Sequence, residues 1–322
     1  MYYAYSDYLK RKYGEKVYKI PVNLPGTCPN RLRGQKGCDF CSEKGTGFES
    51  LPGSVPVREQ LLKNKQLIEK KYHAHKFIAY FQNYTNTFME PEQFRKYIED
   101  AADFPDVIEI SISTRPDCIS REYLDICRRA KEEKDVSFTI ELGLQTVNYH
   151  TLSYINRGHT LAEYIDAVLM IKEYGFDICT HVILNLPGDG EEDCVETAKI
   201  LSVLHTQTVK IHSLYIAKNT RLCEAYENGT ITLCTKEEYI ERLISFLENL
   251  SPDIAVERLF SRVPKKDAAF SNWGSSWWKL RDEALNEMKR RGSYQGRRYG
   301  CLCSSALRYL QEGDAFGRKE KI

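Results

Sequence analysis

The chain has 322 residues, of which 42% are hydrophobic and 28% charged, an ordinary composition for a soluble enzyme. Its 46 basic and 45 acidic residues leave a formal charge of +1, which excludes a globally basic protein and confines any nucleic-acid surface to local clusters. The N-terminus lacks the apolar segment of a signal peptide, and no run approaches the roughly 20 apolar residues that span a bilayer. We therefore expect a cytoplasmic protein without a membrane partner, in which 11 cysteines serve as reduced thiols and metal ligands.

Strand-like and helix-like segments alternate after a lead-in, residues 1–17. Thr160 and Thr235 each begin a capping box with a glutamate three residues later, and Pro91 suits the first turn of a helix. Repeated strand–helix–strand units predict parallel strands joined by right-handed crossovers. The predicted strands are 18–24, 76–82, 107–113, 137–145, 178–185, 208–215 and 254–260, and the helices are 59–71, 91–102, 121–133, 161–174, 191–203 and 236–249.

Several of these strands have one polar and one apolar face. Glu109, Ser111 and Ser113 alternate with isoleucines, and Thr139, Glu141, Gly143 and Gln145 alternate with Phe138 and leucine or isoleucine. Cys179 and His181, and Lys210 and His212, repeat this pattern. A doubly wound sheet is apolar on both faces, so the pattern predicts an α/β fold with a polar interior: a partial (β/α)6 TIM-like barrel over residues 18–262. Residues 263–322 are predicted to form a basic, helical C-terminal extension.

Three cysteines, Cys28, Cys38 and Cys41, lie on a glycine-containing loop directly after the first predicted strand. A structural zinc site needs four protein ligands, whereas a cubane cluster held by three cysteines leaves one iron open. The spacing alone leaves three interpretations: an iron–sulfur cluster, a zinc site completed from elsewhere, or unliganded thiols. Cys301 and Cys303 are interpreted as ordinary thiols, with a second metal or a redox pair as the alternative.

Phe40 stands directly before Cys41, and the stretches Glu141–Gln145, Asn156–His159 and His181–Gly188 follow further along the chain. With these residues the chain resembles the radical S-adenosylmethionine (SAM) superfamily, in stretches shared by oxygen-independent coproporphyrinogen oxidase and the Elongator catalytic subunit. Tyr80–Thr87, Ser113–Pro116 and Tyr294–Gly296 resemble the small bacterial YhcC/YtqA-type group. The resemblance implies a [4Fe–4S] cluster on the three cysteines and reductive cleavage of SAM to a 5′-deoxyadenosyl radical.

The resemblance also implies residues that bind SAM. Arg157 suits the methionine carboxylate by charge and fork geometry, and a Gln82–Thr85 stretch takes the place of the motif that receives the methionine amine. An inward Glu141 has a simpler alternative, a salt bridge to Lys210 or Arg258. The full predicted set is Phe40, Gln82, Asn83, Tyr84, Thr85, Ser113, Glu141, Gln145, Arg157, His181, Leu214 and Ile216.

The Elongator likeness implies a transfer RNA (tRNA) substrate, with chemistry on the C5 side chain of the wobble uridine, for instance conversion of carboxymethylaminomethyl to aminomethyl. An electron donor such as flavodoxin or ferredoxin and a downstream methyltransferase are the implied protein partners. Basic clusters at Lys10–Lys12, at Arg31, Arg33 and Lys36, and at 289–298 are predicted to surround the barrel mouth. The alternatives are a radical SAM enzyme for a small molecule or protein, and a non-catalytic, zinc-stabilised RNA-binding protein.

Overall fold

The computed structural model describes residues 1–34, 37–42 and 50–300. Within them the strands are β1 (Val17–Val22), β2 (Lys76–Phe81), β3 (Val107–Thr114), β4 (Ser137–Gln145), β5 (Asp177–Ile183), β6 (Thr208–His212), β7 (Tyr215–Ala217), β8 (Ala255–Arg258) and β9 (Ala268–Ser271). The helices are α1 (Tyr5–Tyr13), α2 (Val57–Tyr72), α3 (Pro91–Ala102), α4 (Arg121–Lys134), α5 (Tyr149–Tyr154), α6 (Leu161–Glu173), α7 (Glu191–Val203), α8 (Arg221–Glu227), α9 (Lys236–Asn249) and α10 (Trp277–Arg290).

Seven parallel strands form one sheet in the order β1-β2-β3-β4-β5-β6-β8 among the described residues. This confirms the predicted α/β fold of the partial TIM-barrel type. Both capping boxes form, and Pro91 is the first residue of α3. The apolar face of each strand packs under the helices: Ile110, Phe138 and Ile140 are at most 2% exposed. The polar face is therefore left to line the interior of the barrel.

The strand predicted over 208–215 ends early, at His212. Residues 215–217 form β7, which leaves the barrel and pairs antiparallel with β9. Three helices were not predicted: α5 and α8 are only six and seven residues long, too short for a periodic pattern, and α1 lies in the segment interpreted as a lead-in.

Helix α1 closes the end of the barrel at which the strands begin. Lys12 lies 2.7 Å from both Glu109, near the start of β3, and Asp177, the first residue of β5. Tyr8 donates to the same Asp177 carboxylate at 2.6 Å, and Tyr13 donates to Glu109. Since the cysteine loop follows the other end of β1, the prediction that Lys12 borders the barrel mouth is wrong. This lysine neutralises buried and half-buried carboxylates instead.

The segment after α10 lies at the same closed end. Gln295 is buried, donates to the carbonyls of Ser251 and Ile254 just before β8, and accepts from the Tyr3 amide. Arginines around it are ion-paired with Glu241, Glu248 and Glu287. The prediction that 289–298 surrounds the mouth is therefore also wrong. Helix α10 contributes Leu280, Ala284 and Met288 to the main core, and the proposed boundaries at 17 and 262 stay predictions.

The two edge strands of the sheet, β1 and β8, are linked by side chains. Lys19 of β1 lies 2.6 Å from Glu257 of β8. The backbone just before α1 also pairs with β8, through an isolated parallel bridge between Ala4 and Val256.

Among the helices that the structure describes, none combines the length and the apolar composition needed to span a membrane.

Candidate active site

Each of the three loop cysteines has an arginine beside its sulfur. Arg115 lies 3.6 Å from Cys28 Sγ, Arg157 3.6 Å from Cys38 Sγ, and Arg31 3.5 Å from Cys41 Sγ. A guanidinium group next to a sulfur stabilises negative charge on it. Three sulfurs on one loop, each facing a fixed positive charge, are suited to hold an anionic metal centre.

Burial of Cys28 and Cys41 opposes the arginines, because it raises the pKa of each of these two thiols while a neighbouring guanidinium lowers it. Burial alone would raise the pKa of Cys28, but hydrogen bonds from Thr85, the Asn30 backbone and Arg115 lower it below its ordinary value. Burial and the neighbouring Cys38 raise the pKa of Cys41, and Arg31 offsets only part of this.

A turn between α5 and α6 holds the cysteine loop in place. Asn30 Nδ2 donates to the carbonyls of Asn156 and Arg157, at 2.6 and 3.1 Å, and lies 3.4 Å from Cys38 Sγ. Asn156 Nδ2 donates in return to the carbonyl of Gly37. Gly158 in this turn has a φ of +76°, and an added Cβ atom would lie 2.7 Å from Asn30 Oδ1. The turn therefore requires glycine for both conformation and space.

The cysteine loop borders a cavity of about 230 Å³ at the ends of the strands. Of the residues predicted to bind the cluster or SAM, the cavity is lined by Cys28, Cys38, Cys41, Gln82, Tyr84, Thr85, Ser113, Glu141, Gln145, Arg157 and His181. Residues scattered over more than 150 positions of the chain thus meet on one surface. Their individual contacts with SAM stay predictions.

Other predicted residues lie outside the lining of this cavity. Phe40, Leu214 and Ile216 belong to a separate apolar cluster with Ile155 and Leu186. Asn83 is buried beside the cavity-lining residues of its own loop. Lys36, Cys301 and Cys303 lie outside the described residues, so the interpretations of these residues stay predictions.

Glu141 is the centre of a buried ion cluster at the cavity floor. Its carboxylate lies 2.6 Å from Lys19 Nζ and 3.3 Å from Lys210 Nζ, and it also contacts His181 Nε2 and Ser111 Oγ at 2.6 Å. The salt bridge to Lys210, the alternative weighed from the sequence, is therefore present. Burial would raise the pKa of Glu141, but the two lysines hold it well below its ordinary value. His181 has a lowered pKa, because burial outweighs the hydrogen bond to Glu141, so it is neutral at pH 7.

Arg157 is anchored by the carbonyl of Gly143, to which it donates from Nε at 3.2 Å and from Nη2 at 2.6 Å. His159 Nε2 lies 3.0 Å from the same oxygen. Burial, with the charge of Arg157, lowers the pKa of His159 to about 3, so the imidazole is neutral and donates from one nitrogen, either Nε2 to this carbonyl or Nδ1 to the carbonyl of Thr160 at 3.2 Å. The Arg157 fork is thus oriented by backbone, with Nη1 directed at Cys38.

Several residues of the site were missed from the sequence. Arg115 lies directly after β3, within the family-like stretch Ser113–Pro116, and its position at the end of a polar-faced strand was the available signal. Asn30 lies inside the cysteine loop itself, and so does Arg31, which was predicted as part of a basic cluster at the barrel mouth but not as a neighbour of Cys41. Lys19 and Glu257 were not identifiable, because their pairing joins strands 238 positions apart.

The donor set fits a [4Fe–4S] cluster. Three thiols face one cavity, each with a guanidinium donor near its sulfur, and the cavity continues past them along polar walls. The described residues therefore provide the ligands and the neighbouring space that a cluster with one open iron needs.

Comparisons with known proteins agree with this geometry. Residues 22–201 match the radical SAM superfamily, and residues 206–290 match the radical SAM C-terminal domain. YtqA of Bacillus subtilis is 32% identical over 92% of this chain and 92% of its own length. The tRNA uridine(34) acetyltransferase of Methanocaldococcus jannaschii is 28% identical over 49% of this chain and 29% of its own length.

A solved structure, Methanocaldococcus infernus Elp3 lacking its N-terminus, superimposes with a TM-score of 0.67 at 18% identity, covering 92% of this chain and 68% of Elp3. This likeness shows the fold. The sequence matches show the family: the chain belongs to the radical SAM superfamily and is an enzyme whose cofactors are a [4Fe–4S] cluster and SAM.

Proposed function

We propose that this radical SAM enzyme modifies the C5 side chain of the wobble uridine in tRNA, for instance by converting carboxymethylaminomethyl to aminomethyl. One observation carries the proposal: the described cavity wall has six basic residues and a single carboxylate, Glu141. The basic set is Arg31, Arg115, Arg157, Lys210, Arg258 and Arg262. A cavity of this charge suits an anionic substrate such as a nucleotide.

The relatives support tRNA as that substrate. The M. jannaschii relative is named for position 34 of tRNA, the wobble position, and it shares about half of this chain. A base at this position is in a single-stranded loop and is accessible to be splayed out into a pocket. The basic residues of the cavity wall would contact the tRNA at the barrel mouth. The clusters at 10–12 and 289–298 would not, because they lie at the closed end of the barrel.

The roles of the residues follow from their positions. Cys28, Cys38 and Cys41 would hold the cluster, and Gln82–Thr85 and Arg157 would orient the methionine part of SAM. When bound, these cofactors would supply a 5′-deoxyadenosyl radical that takes a hydrogen atom from the carboxymethyl carbon. Loss of one further electron to the proposed electron-transfer protein would give an imine, and addition of water would break the carbon–nitrogen bond, releasing the two-carbon group as glyoxylate and leaving the aminomethyl side chain. The side chains around Glu141 are held by their pairing with it, so they are less available to react with a radical. An electron donor such as flavodoxin or ferredoxin completes the proposed system.

The test uses protein reconstituted with iron and sulfide under anaerobic conditions and reduced with dithionite. We expect about four irons per chain, and release of 5′-deoxyadenosine that increases when tRNA from a strain lacking the enzyme is added. Nucleoside analysis of that tRNA should show loss of the carboxymethylaminomethyl form and gain of the aminomethyl form.

Matched controls separate the cluster from general damage. Cys38→Ala should abolish the iron content and the reaction, whereas Cys127→Ala, which removes a buried thiol of α4, should keep both. An unchanged nucleoside profile with active SAM cleavage would refute the tRNA proposal and favour a small-molecule or protein substrate. The zinc-protein alternative would require zinc in place of iron and sulfide, which the family match disfavours.

A further inference from the structure

A β-bulge in β8 directs two consecutive charged residues into the barrel. Val209 pairs with Val256 and Lys210 with Arg258, so Glu257 is the extra residue. In a regular strand, neighbouring side chains point to opposite faces. The bulge lets Glu257 reach Lys19 and Lys210 while Arg258 lines the cavity.

Arg258 differs from the other arginines of the cavity wall in its partners. Arg115 pairs with Asp117, Arg157 donates to Gly143, and Arg31 donates to backbone carbonyls near Cys41. Within the described residues, Arg258 has neither a hydrogen bond nor a carboxylate within 4.0 Å, although it is half-buried. A guanidinium cannot lose its charge, so a half-buried one without a counter-ion is suited to take that counter-ion from a ligand.

Arg258 offers hydrogen-bond donors, whereas the neighbouring His212 offers a hydrogen-bond acceptor, its Nε2 atom. Its Nε2 atom is buried and has no hydrogen-bond partner among the described residues. Its Nδ1 atom lies 3.4 Å from Ser261 Oγ, and this hydroxyl donates its own proton to the carbonyl of Ser213 at 2.6 Å. The Nδ1 atom is therefore assigned the proton, which leaves an unpaired lone pair on Nε2 of a residue that lines the cavity. Burial and the charge of Arg258 hold the pKa of His212 well below its ordinary value, which keeps the ring neutral.

We propose that Arg258 and the Nε2 atom of His212 form a substrate subsite for a carboxylate that lies next to an N–H donor. Arg258 pairs with the carboxylate, and Nε2 accepts from the N–H group. The assignment rests on the proposed function, because the carboxymethylaminomethyl side chain carries this pair of groups, an amine one carbon away from a carboxylate. The methionine part of SAM carries a similar pair, so the test must distinguish these two sources.

The decisive measurement is the affinity of the reconstituted enzyme for two forms of one tRNA, with carboxymethylaminomethyluridine or aminomethyluridine at the wobble position. We expect the wild type to bind the carboxylated form about 10- to 100-fold more tightly, as for a charged hydrogen bond. Arg258→Met should abolish this preference, with a much smaller loss of affinity for the aminomethyl form than for the carboxylated form and no loss of affinity for SAM. Arg258→Lys, which keeps the charge but not the fork, should retain part of it. The control Arg128→Met, on the exposed face of α4, should keep the full preference.

Each other outcome overturns the assignment in a distinguishable way. If Arg258→Met weakens SAM binding and keeps the preference between the two tRNAs, the arginine serves the methionine carboxylate. If the wild type converts the tRNA without preferring the carboxylated form, the subsite is refuted and the proposed function stands. If the wild type neither binds nor converts either tRNA, the proposed function fails, and this subsite fails with it.

Discussion

Removing Lys19 should destabilise the fold by leaving two buried carboxylates with one lysine. Lys19 and Lys210 balance Glu141 and Glu257, and the four side chains are 14%, 3%, 0% and 12% exposed. His181 is neutral, so the intact cluster has no net charge. Lys19→Met leaves one excess negative charge among buried side chains, and breaking a buried pair in this way costs about 3–5 kcal/mol.

The assay is anaerobic urea unfolding followed by circular dichroism at pH 7.5, with Lys63→Met as the matched control. Lys63 lies at the same distance from its partner Glu59, 2.6 Å, but both side chains are about half exposed. Its loss should cost about 0.5 kcal/mol or less. The double variant Lys19→Met, Glu257→Gln restores neutrality and should be more stable than Lys19→Met alone by about 1–2 kcal/mol.

The pH dependence follows from the sign of the excess charge. In Lys19→Met the uncompensated carboxylate raises the pKa of His181 in the folded state relative to the wild type, in which burial lowers it. In the folded variant His181 then gains a proton more readily than in the wild type. The difference in the free energy of unfolding between the variant and the wild type should therefore shrink as the pH falls below about 6.5. Equal losses in the free energy of unfolding for Lys19→Met and Lys63→Met would refute this reasoning. A double variant less stable than Lys19→Met alone would also refute it.

Two further predictions concern single residues. Gly158→Ala should lower the iron content after reconstitution, because the new Cβ atom would lie 2.7 Å from Asn30 Oδ1 and 2.9 Å from Arg115 Nη2. The control Gly229→Ala has a similar φ of +69° but open space around it, so it should keep full iron content. Equal iron content in both variants would contradict the steric argument. Asp189→Asn should stabilise the protein above pH 6 by about 2 kcal/mol, because burial raises the pKa of this carboxyl from 3.8 to about 6 and Oδ1 has no described hydrogen-bond partner. The folded state binds this proton more tightly than the unfolded state, so wild-type stability falls as the pH rises from about 4 to 6. Urea unfolding of both proteins at pH 4 and pH 8 checks this. If Asp189→Asn were more stable than the wild type by the same amount at both pH values, the reasoning would be contradicted.

The order of the elements could be predicted, and the cysteine loop could be proposed as a metal site, because both depend on residues close together in the chain. Alternation of polar and apolar residues in β3 and β4 indicates which face lines the barrel, and the spacing of Cys28, Cys38 and Cys41 indicates a metal loop. The capping boxes at Thr160 and Thr235 depend on residues only three positions apart, and they form as predicted. Short helices such as α5 lack enough residues for a periodic signal.

The placement of the charges could not be predicted in the same way. The basic clusters at Lys10–Lys12 and 289–298 have the same composition wherever they lie, and the structure places their contacts at the closed end of the barrel. Glu141 was predicted to bind SAM, and the structure shows it neutralised by Lys19 and Lys210. These partners belong to strands distant in the chain, so no local pattern identifies them.

The sequence by itself determined the class of fold and the family, since both follow from residue types and motifs along the chain, and it predicts Cys28, Cys38 and Cys41 as the cluster ligands. Only the tertiary structure decided that a separate arginine faces each cysteine sulfur, and that the bulge at Glu257 turns Arg258 towards the cavity beside His212. The physical reason is that electrostatic energy depends on distance in space and on burial, and both arise only when the strands are brought side by side.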